Sequence, residues 1–299
     1  MDAAVNFYKP PGMSSAQAVA FLKARTGMKA GHAGTLDPEA AGVLPILLGK
    51  ATRLNDYLPG DKAYLAEIAF TGATDTQDAQ GRVVQRGVRV PGVQELQDVL
   101  PRFIGDITQV PPQYSALKVG GEAAYTLARA GKTVALAERP VRIDSILLLR
   151  AMPNGGFLLR VRCGKGTYIR TLCHDIGHAL GCPAHMRFLL REESAGLKLD
   201  SSATPDDMAR WAEGGCAPGA PFARTMGDML AHLPSLQVPL AMRKPAVNGV
   251  KLLAQDVPGG ASLPEGEPAC LYLEDGLLGV YRREGPLLAC AAMLREAAP

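Results

Sequence analysis

The sequence predicts an α+β fold, in which helices flank a mixed, largely antiparallel sheet and a small β-rich domain follows. Strand and helix patterns alternate without the regular rhythm of βαβ units, which favours antiparallel pairing. Of the 299 residues, 47% are hydrophobic and 20% are charged, so the chain has enough apolar side chains to bury a core. Beyond residue 213 the composition shifts to Gly and Pro steps, and no long helical pattern follows.

Each predicted element follows from a local pattern. Apolar or alternating stretches predict strands at 5–8, 43–48, 63–71, 141–150 and 157–163. Capping residues, apolar periodicity and terminal glycines predict helices at 14–27, 51–58, 93–103, 123–130, 169–180 and 204–211. The Gly-, Ala- and Pro-rich stretch 28–42 is predicted to be a loop, and Asn154-Gly155-Gly156 a hairpin turn.

These elements divide the chain into a large domain, a linker and a small domain. The large domain spans 1–213 and includes a loop-rich excursion at about 110–139. Residues 214–235 are predicted to form the linker. In the domain at 236–299, strands at 270–273 and 277–282 flank a turn, and a third at 287–293 pairs next.

The charge distribution is informative in one stretch only. The net charge is +3, which is too small to indicate a nucleic-acid partner by itself. Between residues 160 and 191 there is one acid, Asp175, and six basic residues: Arg160, Arg162, Lys165, Arg170, Arg187 and Arg191. This stretch is either a phosphate-binding patch or a solvated basic face.

Several other classes of protein are disfavoured. The six cysteines form no Cys-x-x-Cys pair, residues 1–9 lack the apolar segment of a secretion signal, and no apolar run reaches membrane-spanning length. We therefore expect a cytoplasmic protein with reduced thiols and no membrane association. His174, His178 and Cys182 have the helical spacing of metal ligands, but Gly181 and Pro183 are expected to end the helix first. No metal is predicted.

The segment at 31–42 is the richest in chemical groups. Three glycines allow close approach of the backbone to a ligand, and Pro38 favours an extended conformation at Asp37. A carboxylate placed in this way could serve as a nucleophile or a base. Taken alone, the segment fits equally a turn in which Asp37 bonds to its own backbone.

The motifs around Asp37 resemble those of the TruB family of pseudouridine synthases. Six segments match family motifs in order: Lys9-Pro10-Pro11-Gly12-Met13-Ser14-Ser15, Gly31-His32-Ala33-Gly34-Thr35-Leu36-Asp37-Pro38, Asp61-Lys62-Ala63-Tyr64, Thr74-Asp75-Thr76-Gln77-Asp78-Ala79-Gln80-Gly81, Tyr114-Ser115-Ala116-Leu117-Lys118 and Gly164-Lys165-Gly166-Thr167-Tyr168-Ile169-Arg170. They span residues 9–170, and weaker similarity continues to about 195.

The resemblance implies the pseudouridine synthase fold and an isomerase. The expected reaction converts the uridine at position 55 in the T-loop of tRNA to pseudouridine, by base flipping, glycosidic cleavage, base rotation and C5–C1′ bond formation. The implied partner is tRNA through its T-stem-loop, with no cofactor, no metal and no required protein partner, and we expect a monomer. In these terms 1–213 is the catalytic domain, the excursion at about 110–139 binds RNA, and 236–299 is a PUA-like module.

Three residues are implied to be catalytic. Asp37 matches the aspartate required for the chemistry, either as nucleophile at C1′ or as the base that removes the C2′ proton to give a glycal. Arg170 matches the arginine that pairs with this aspartate, because a guanidinium fork orients a carboxylate and keeps it ionised. Tyr64 matches a tyrosine that stacks on the uracil and assists removal of the C5 proton.

Four further residues are implied to bind the substrate. His32 matches a histidine that stabilises the RNA loop after the nucleotide is flipped. Lys9 and Tyr168 resemble supports around the pocket, and Leu189 aligns with an apolar residue that lines it. The sequence departs from the family pattern at Ala33, where threonine is common.

Two alternatives remain open at this point. One is a guide-dependent relative that acts within a ribonucleoprotein and shares the motif around Asp37. The other is an RNA-binding protein that assists tRNA folding without catalysis. The excursion at about 110–139 and the lack of long basic tails favour a stand-alone enzyme.

Overall fold

A computed structural model describes residues 2–115, 117–119, 121–129, 131 and 134–295. The strands are β1 Ala3–Lys9, β2 Ala30–His32, β3 Ala41–Leu48, β4 Lys62–Ala69, β5 Gly72–Thr74, β6 Val83–Arg86, β7 Gly105–Gln109, β8 Lys118–Val119, β9 Glu122–Ala123, β10 Arg139–Ala151, β11 Gly156–Cys163, β12 His185–Ser194, β13 Leu197–Lys198, β14 Ala223–Thr225, β15 Ser235–Gln237, β16 Leu252–Leu253, β17 Pro268–Leu273, β18 Gly276–Glu284 and β19 Leu287–Met293. The helices are α1 Ser15–Thr26, α2 Val93–Val99, α3 Ala124–Arg129, α4 Ile169–Ala179, α5 Pro205–Glu213, α6 Met226–Met229 and α7 Arg243–Val247.

The central sheet is mixed and largely antiparallel, as predicted. Its strand order is β14-β1-β3-β12-β4-β11-β10-β7, with β2 added to β3 and β13 to β12. The pair of β3 and β12 is parallel, and the other pairs of this sheet are antiparallel. Strand β4 lies between β11 and β12, which places Tyr64 in the middle of the sheet.

Strand β3 explains why both faces of this sheet are covered. All eight of its residues are buried, and successive side chains of a strand point to opposite faces. Leu44 and Ile46 belong to one apolar cluster, which includes side chains of α1, α4 and α5. Val43 and Leu47 belong to a second cluster, which includes side chains of the C-terminal sheet. A run of apolar residues without alternation is typical of a strand covered on both sides.

Several strands were not predicted. The stretch 28–42, predicted to be a loop, contains β2, and the sequence analysis also missed the β5–β6 hairpin, β7 and β12. Strand β12 carries five charged or basic side chains among its ten residues, which obscured the apolar pattern of a central strand. The predicted helix at 51–58 is a 3₁₀ helix at Gly49–Tyr57. In the excursion at 110–139, α3 and the short β8–β9 pair are described, and residues 116, 120, 130, 132 and 133 lie outside the described residues.

The C-terminal residues form a separate five-stranded sheet with the order β15-β17-β18-β19-β16, which agrees with the predicted β-rich domain. The predicted linker at 214–235 is structured, since β14 pairs with β1 through Ala3↔Thr225, and α6 follows it. The boundary between the two domains therefore stays a proposal. Among the described residues, no helix is long and apolar enough to cross a membrane.

The two domains share an apolar cluster, and this predicts the effect of removing the second domain. Val43, Leu47 and Leu54 of the large domain are at most 1% exposed, in one cluster with Val280 and Leu294 of the small domain. Deleting 236–299 would expose these side chains to water. We expect the truncated protein to unfold at a lower temperature or to aggregate, measured by thermal unfolding and light scattering.

A point substitution tests the same interface without truncation. Leu294→Ala should lower the free energy of unfolding by about 2–5 kcal/mol, because it removes a buried side chain and leaves a cavity. The control is Leu253→Ala, which truncates a leucine of the same domain that is 43% exposed and should change stability by less than about 0.5 kcal/mol. Equal effects of the two substitutions in urea unfolding would contradict the shared core.

Candidate active site

Asp37 lies on the loop between β2 and β3, and the loop is held on both sides of it. The Ser15 hydroxyl lies 2.9 Å from both the carbonyl oxygen and the backbone nitrogen of Leu36, close enough to donate to the first and accept from the second. The Pro38 carbonyl accepts from Lys9 Nζ at 2.8 Å. The backbone on either side of Asp37 is therefore restrained by side chains of β1 and α1.

The carboxylate of Asp37 forms a two-point pair with Arg170. Arg170 Nε lies 3.0 Å from Asp37 Oδ2, and Nη2 donates to Oδ1 at 3.1 Å. The arginine side chain is 7% exposed, whereas the aspartate side chain is 33% exposed. The arrangement keeps the carboxylate open to a ligand and fixes its orientation from behind.

Arg170 is fixed by further contacts from two other segments. Its guanidinium donates to the Thr76 carbonyl at 3.3 Å and to the Tyr114 carbonyl at 3.0 Å. Arg170 Nη1 also lies 3.8 Å from Asp78 Oδ2. Thr76 and Asp78 belong to a motif that matches the family in the sequence, but neither residue was predicted to act in the site.

The turn that carries these groups has an unusual backbone at its centre. Gln77 has φ = 65°, a left-handed conformation that non-glycine residues seldom adopt. Its side-chain oxygen accepts from the Thr171 hydroxyl at 2.8 Å, next to Arg170 on α4. Strained backbone of this kind persists where surrounding contacts enforce it. Here the strained residue lies between Thr76 and Asp78, both of which contact Arg170.

A cavity of about 240 Å³ opens in front of the pair. Its walls include five of the predicted site residues: Asp37, Tyr64, Tyr168, Arg170 and Leu189. These residues come from a loop, β4, the start of α4 and β12, so the fold brings together segments that are distant in the sequence.

Tyr64 lies on β4 and is 6% exposed. Burial raises the pKa of its hydroxyl to about 12, and the nearby Arg191 guanidinium acts in the opposite direction. The free protein therefore presents a neutral tyrosine to the cavity.

Lys9 does not line the cavity, although it supports the loop. It is fully buried and donates to the carbonyls of Pro10 at 2.9 Å, Met13 at 2.6 Å and Pro38 at 2.8 Å. Burial lowers the pKa of its amine to about 8, against the opposing effect of Glu39 and Asp37. Its geometry is that of a support for the backbone next to Asp37.

His32 lies on β2, also outside the cavity wall. Its Nδ1 is buried and has no hydrogen-bond partner among the described residues. Burial lowers the pKa of the imidazole, and the Arg191 guanidinium lowers it further. Both effects favour the neutral imidazole in the free protein.

The basic stretch at 160–191 is not the free patch that its composition suggested. Arg160 pairs with Glu192 at 3.0 Å, Arg162 with Glu193 at 3.2 Å and Arg187 with Glu67 at 2.8 Å. Arg170 pairs with Asp37, as described above. Four of the six basic side chains are therefore paired with carboxylates of the protein, and phosphate binding by this stretch stays a prediction.

Arg191, which the sequence places in the basic stretch without a role of its own, is buried beneath the loop of Asp37. It is 0% exposed, and it donates to the carbonyls of Val43 at 2.7 Å, Thr35 at 3.3 Å and Gly34 at 3.2 Å. Two of these carbonyls belong to the loop that carries Asp37. The Arg191 guanidinium thus holds the loop of Asp37 against strand β3 of the sheet.

The histidine and cysteine spacing on α4 does not form a metal site in the described part of the chain. Helix α4 ends at Ala179, before Cys182. His174 Nδ1 contacts Asp175 at 3.2 Å, and Cys182 is fully buried. No group of three or more potential ligands is found among the residues described.

Comparison with known proteins identifies the family. Residues 21–169 match the model for the N-terminal domain of TruB family pseudouridylate synthases, and residues 170–215 match that for the C-terminal domain of tRNA pseudouridylate synthase B. A protein of Alkaliphilus oremlandii named tRNA pseudouridine synthase B is 37% identical over 93% of this chain and 92% of its own. This chain belongs to the TruB family.

Other TruB proteins and solved structures agree with this assignment. Proteins with the same name from Pelotomaculum thermopropionicum and Symbiobacterium thermophilum are 40% and 46% identical, over 99% and 77% of this chain and 92% and 77% of their own. The fold is similar to that in a crystal structure of a Cbf5-Nop10-Gar1 complex, with a TM-score of 0.75, 27% identity, and coverage of 99% of this chain and 85% of that chain. The TruB chain therefore has the predicted pseudouridine synthase fold.

Proposed function

We propose that this TruB-family protein converts uridine 55 in the T-loop of tRNA to pseudouridine, with no guide RNA, protein partner, cofactor or metal. One observation carries the proposal: the Asp37 carboxylate, oriented by a buried arginine, faces a cavity of about 240 Å³ that Tyr64 also lines. A cavity of this size fits a single nucleobase rather than a base within a helix, so the target base has to leave its stack.

The reaction needs an ionised, oriented carboxylate. The C1′–N1 bond of the uridine breaks, the uracil rotates and a C5–C1′ bond forms. The proton lost from C5 is matched by a proton gained at N1, so that atoms and electrons balance without an external reagent. Asp37 either attacks C1′ and leaves again when C5 bonds to C1′, or removes the C2′ proton to give a glycal and returns it as the C5–C1′ bond forms. Arg170 serves both routes, because its fork fixes the position of the carboxylate and favours its charged form.

Tyr64 supplies a flat surface for the base and a hydroxyl near its reactive edge. Stacking of a base on an aromatic ring contributes about 1–3 kcal/mol. Because the pKa of Tyr64 is about 12, the residue acts from its neutral form. We assign to it the positioning of the base and assistance in the transfer of the C5 proton.

Tyr64→Phe separates these two contributions. The ring remains, so tRNA affinity should stay within about threefold of wild type, while the single-turnover rate should fall about 10²–10⁴-fold because the hydroxyl is lost. Tyr64→Leu should in addition weaken binding about ten- to a hundredfold, since the stack is also lost. A Tyr64→Phe enzyme with the wild-type rate would exclude the hydroxyl from the reaction.

The remaining assigned residues act around the flipped nucleotide. Tyr168 and Leu189 line the cavity and would enclose the base. His32, a partly exposed residue of β2, would contact the RNA loop that the base has left. Lys9 would act through Pro38, whose carbonyl it holds, rather than by touching the substrate.

A guide-dependent mechanism is the main alternative. A structure described as an H/ACA RNP bound to a substrate RNA matches this chain with a TM-score of 0.73 and 25% identity, covering 99% of this chain and 86% of that chain. The bacterial relatives named tRNA pseudouridine synthase B are 37–46% identical. The higher identity to the proteins named tRNA pseudouridine synthase B favours the stand-alone enzyme.

Purified protein and an unmodified tRNA transcript decide between these functions. Conversion of uridine 55 without added RNA or protein supports the proposal, and a transcript with cytidine at position 55 is the control. Conversion that requires a guide RNA would identify the guide-dependent alternative. Binding and refolding of the transcript without conversion would indicate an RNA-folding protein. Cytoplasmic localisation and a monomeric state stay predictions from the sequence.

A further inference from the structure

A second cavity of about 380 Å³ adjoins the active-site cavity, and Gly34 and Lys62 line both. Lys62 is the first residue of β4 and precedes Tyr64 by two positions, so the two side chains point to the same face of the sheet. Lys165 also lines the second cavity. The cavity lies beside the proposed base-binding pocket and carries positive charge.

Two cationic groups meet beside Gly34 at the boundary between the two cavities, and a third lines the second cavity. A Cβ atom placed on Gly34 would lie 3.7 Å from Lys62 Cε, 3.9 Å from Lys62 Nζ and 3.9 Å from Arg191 Nη1. Lys62 and Arg191 thus both reach Gly34, which has no side chain to separate them. Lys165 packs along Gly60, where a Cβ would lie 3.7 Å from its Cβ and Cγ.

Neither lysine is paired with a carboxylate among the described residues. The donors of Arg191 go to backbone carbonyls, and neither lysine forms an ion pair within 4.0 Å among the described residues. Asp56 lines the second cavity, but its carboxylate contacts Asn55 and not the lysines. Burial lowers the pKa of Lys62, and Arg191 and Lys165 lower it further, as expected for cations that lack an anion.

A hydroxyl group without a partner accompanies the cations. Ser194 on β12 is the antiparallel neighbour of Lys62 and lines the same cavity. It is 1% exposed, and its Oγ has no hydrogen-bond partner among the described residues. Buried polar groups are nearly always paired, so an unused hydroxyl beside two lysines indicates a missing acceptor.

We propose that Lys62 and Lys165, with the Ser194 hydroxyl, bind a backbone phosphate of the RNA next to the nucleotide that enters the active-site cavity. A phosphate provides the negative charge that the lysines lack and the oxygen acceptors that Ser194 needs. Because Lys62 lines both cavities, a phosphate there adjoins the sugar of the bound nucleotide. The inference rests on the proposed function, since it takes RNA as the substrate.

Substitution of Lys62 tests the charge. Lys62→Gln should weaken binding of a T-stem-loop RNA about tenfold and reduce the slope of log K against log salt by about one. Binding is measured in the Asp37→Asn background, so that conversion does not interfere. Lys23→Gln, which neutralises an exposed lysine of α1 outside both cavities, is the matched control and should leave affinity and slope unchanged.

Single methylphosphonate substitutions identify the phosphate. Replacing one phosphate next to the target uridine by a neutral methylphosphonate should weaken binding to the protein with Lys62 intact. The Lys62→Gln protein should bind the modified and the unmodified RNA with equal affinity, because the two changes remove the same contact. Lys165→Gln, at an exposed residue that cannot upset folding, should show a smaller coupling to the same phosphate.

The outcomes separate this site from the function itself. The phosphate site is wrong if the affinity losses from either lysine substitution and from the methylphosphonate are fully additive at every phosphate flanking the uridine. The proposed function still holds in that case if the wild-type protein converts the RNA. Failure of wild-type protein to convert the RNA would instead overturn the function. Lys62→Arg, which keeps the charge, should recover most of the affinity; if it binds as poorly as Lys62→Gln, shape rather than charge matters and the proposal fails.

Discussion

Replacing Asp37 by asparagine is expected to reduce pseudouridine formation by at least about 10⁴-fold, as for other essential catalytic groups. An amide neither attacks C1′ nor accepts the C2′ proton, so both proposed routes are blocked. The amide is close in shape to the carboxylate and retains an oxygen that can accept from Arg170, so the loop should stay folded. Affinity for tRNA should therefore stay within about tenfold of wild type.

Single-turnover conversion and equilibrium binding measure the two parts of this prediction. Glu39→Gln is the matched control, because it removes the same charge from an exposed position on the same loop, and it should keep the wild-type rate within a few-fold. A rate above a few per cent of wild type in Asp37→Asn would remove Asp37 from the chemistry. An equal loss in Glu39→Gln would indicate a general electrostatic effect of the loop.

Replacing Arg170 by lysine is expected to lower the single-turnover rate about 10²–10³-fold. Lysine keeps the charge but provides a single donating centre, whereas Arg170 contacts both oxygens of Asp37 at 3.0 Å and 3.1 Å. The carbonyls of Thr76 and Tyr114 would also lose donors. The carboxylate would remain present but would no longer be held in one orientation.

The effect should fall on the rate constant at saturation and not on substrate affinity, because Arg170 lies behind Asp37. Arg187→Lys is the matched control, since Arg187 also pairs with a carboxylate, that of Glu67 at 2.8 Å, but does not line the cavity. Thermal unfolding checks that both proteins are folded. If Arg170→Lys mainly raised KM, Arg170 would contact the RNA directly and the proposed role would be wrong.

Local patterns were sufficient for much of the fold. Three features were predicted from the sequence: the buried strand β3, the hairpin of β10 and β11 around Asn154 to Gly156, and helix α4, which ends before Gly181. Apolar periodicity and turn residues predict such features because these depend on neighbours along the chain. Strand β12 was missed for the opposite reason. Its charged residues are matched by groups from distant segments, and a local pattern carries no information about them.

The candidate site shows the same division. Asp37 and Arg170 are 133 residues apart, and the sequence connected them only through resemblance to a family. Their pairing, the support from Lys9 and the buried position of Arg191 depend on how β1, β3, β4 and β12 are arranged. The roles of Thr76 and Asp78 were not recognised, because a polar turn has the same composition whether or not an arginine reaches it.

The sequence by itself determined the class of fold, the order of most elements, the family and the residues to expect in its site. The tertiary structure alone decided which charges are free. Arg160 on β11 and Glu192 on β12 pair across β4, which lies between their strands. Lys62 and Lys165 line a cavity and form no ion pair within 4.0 Å among the described residues. The order of residues in the sequence does not distinguish the paired charges from the unpaired ones, because burial and pairing depend on which strands become neighbours.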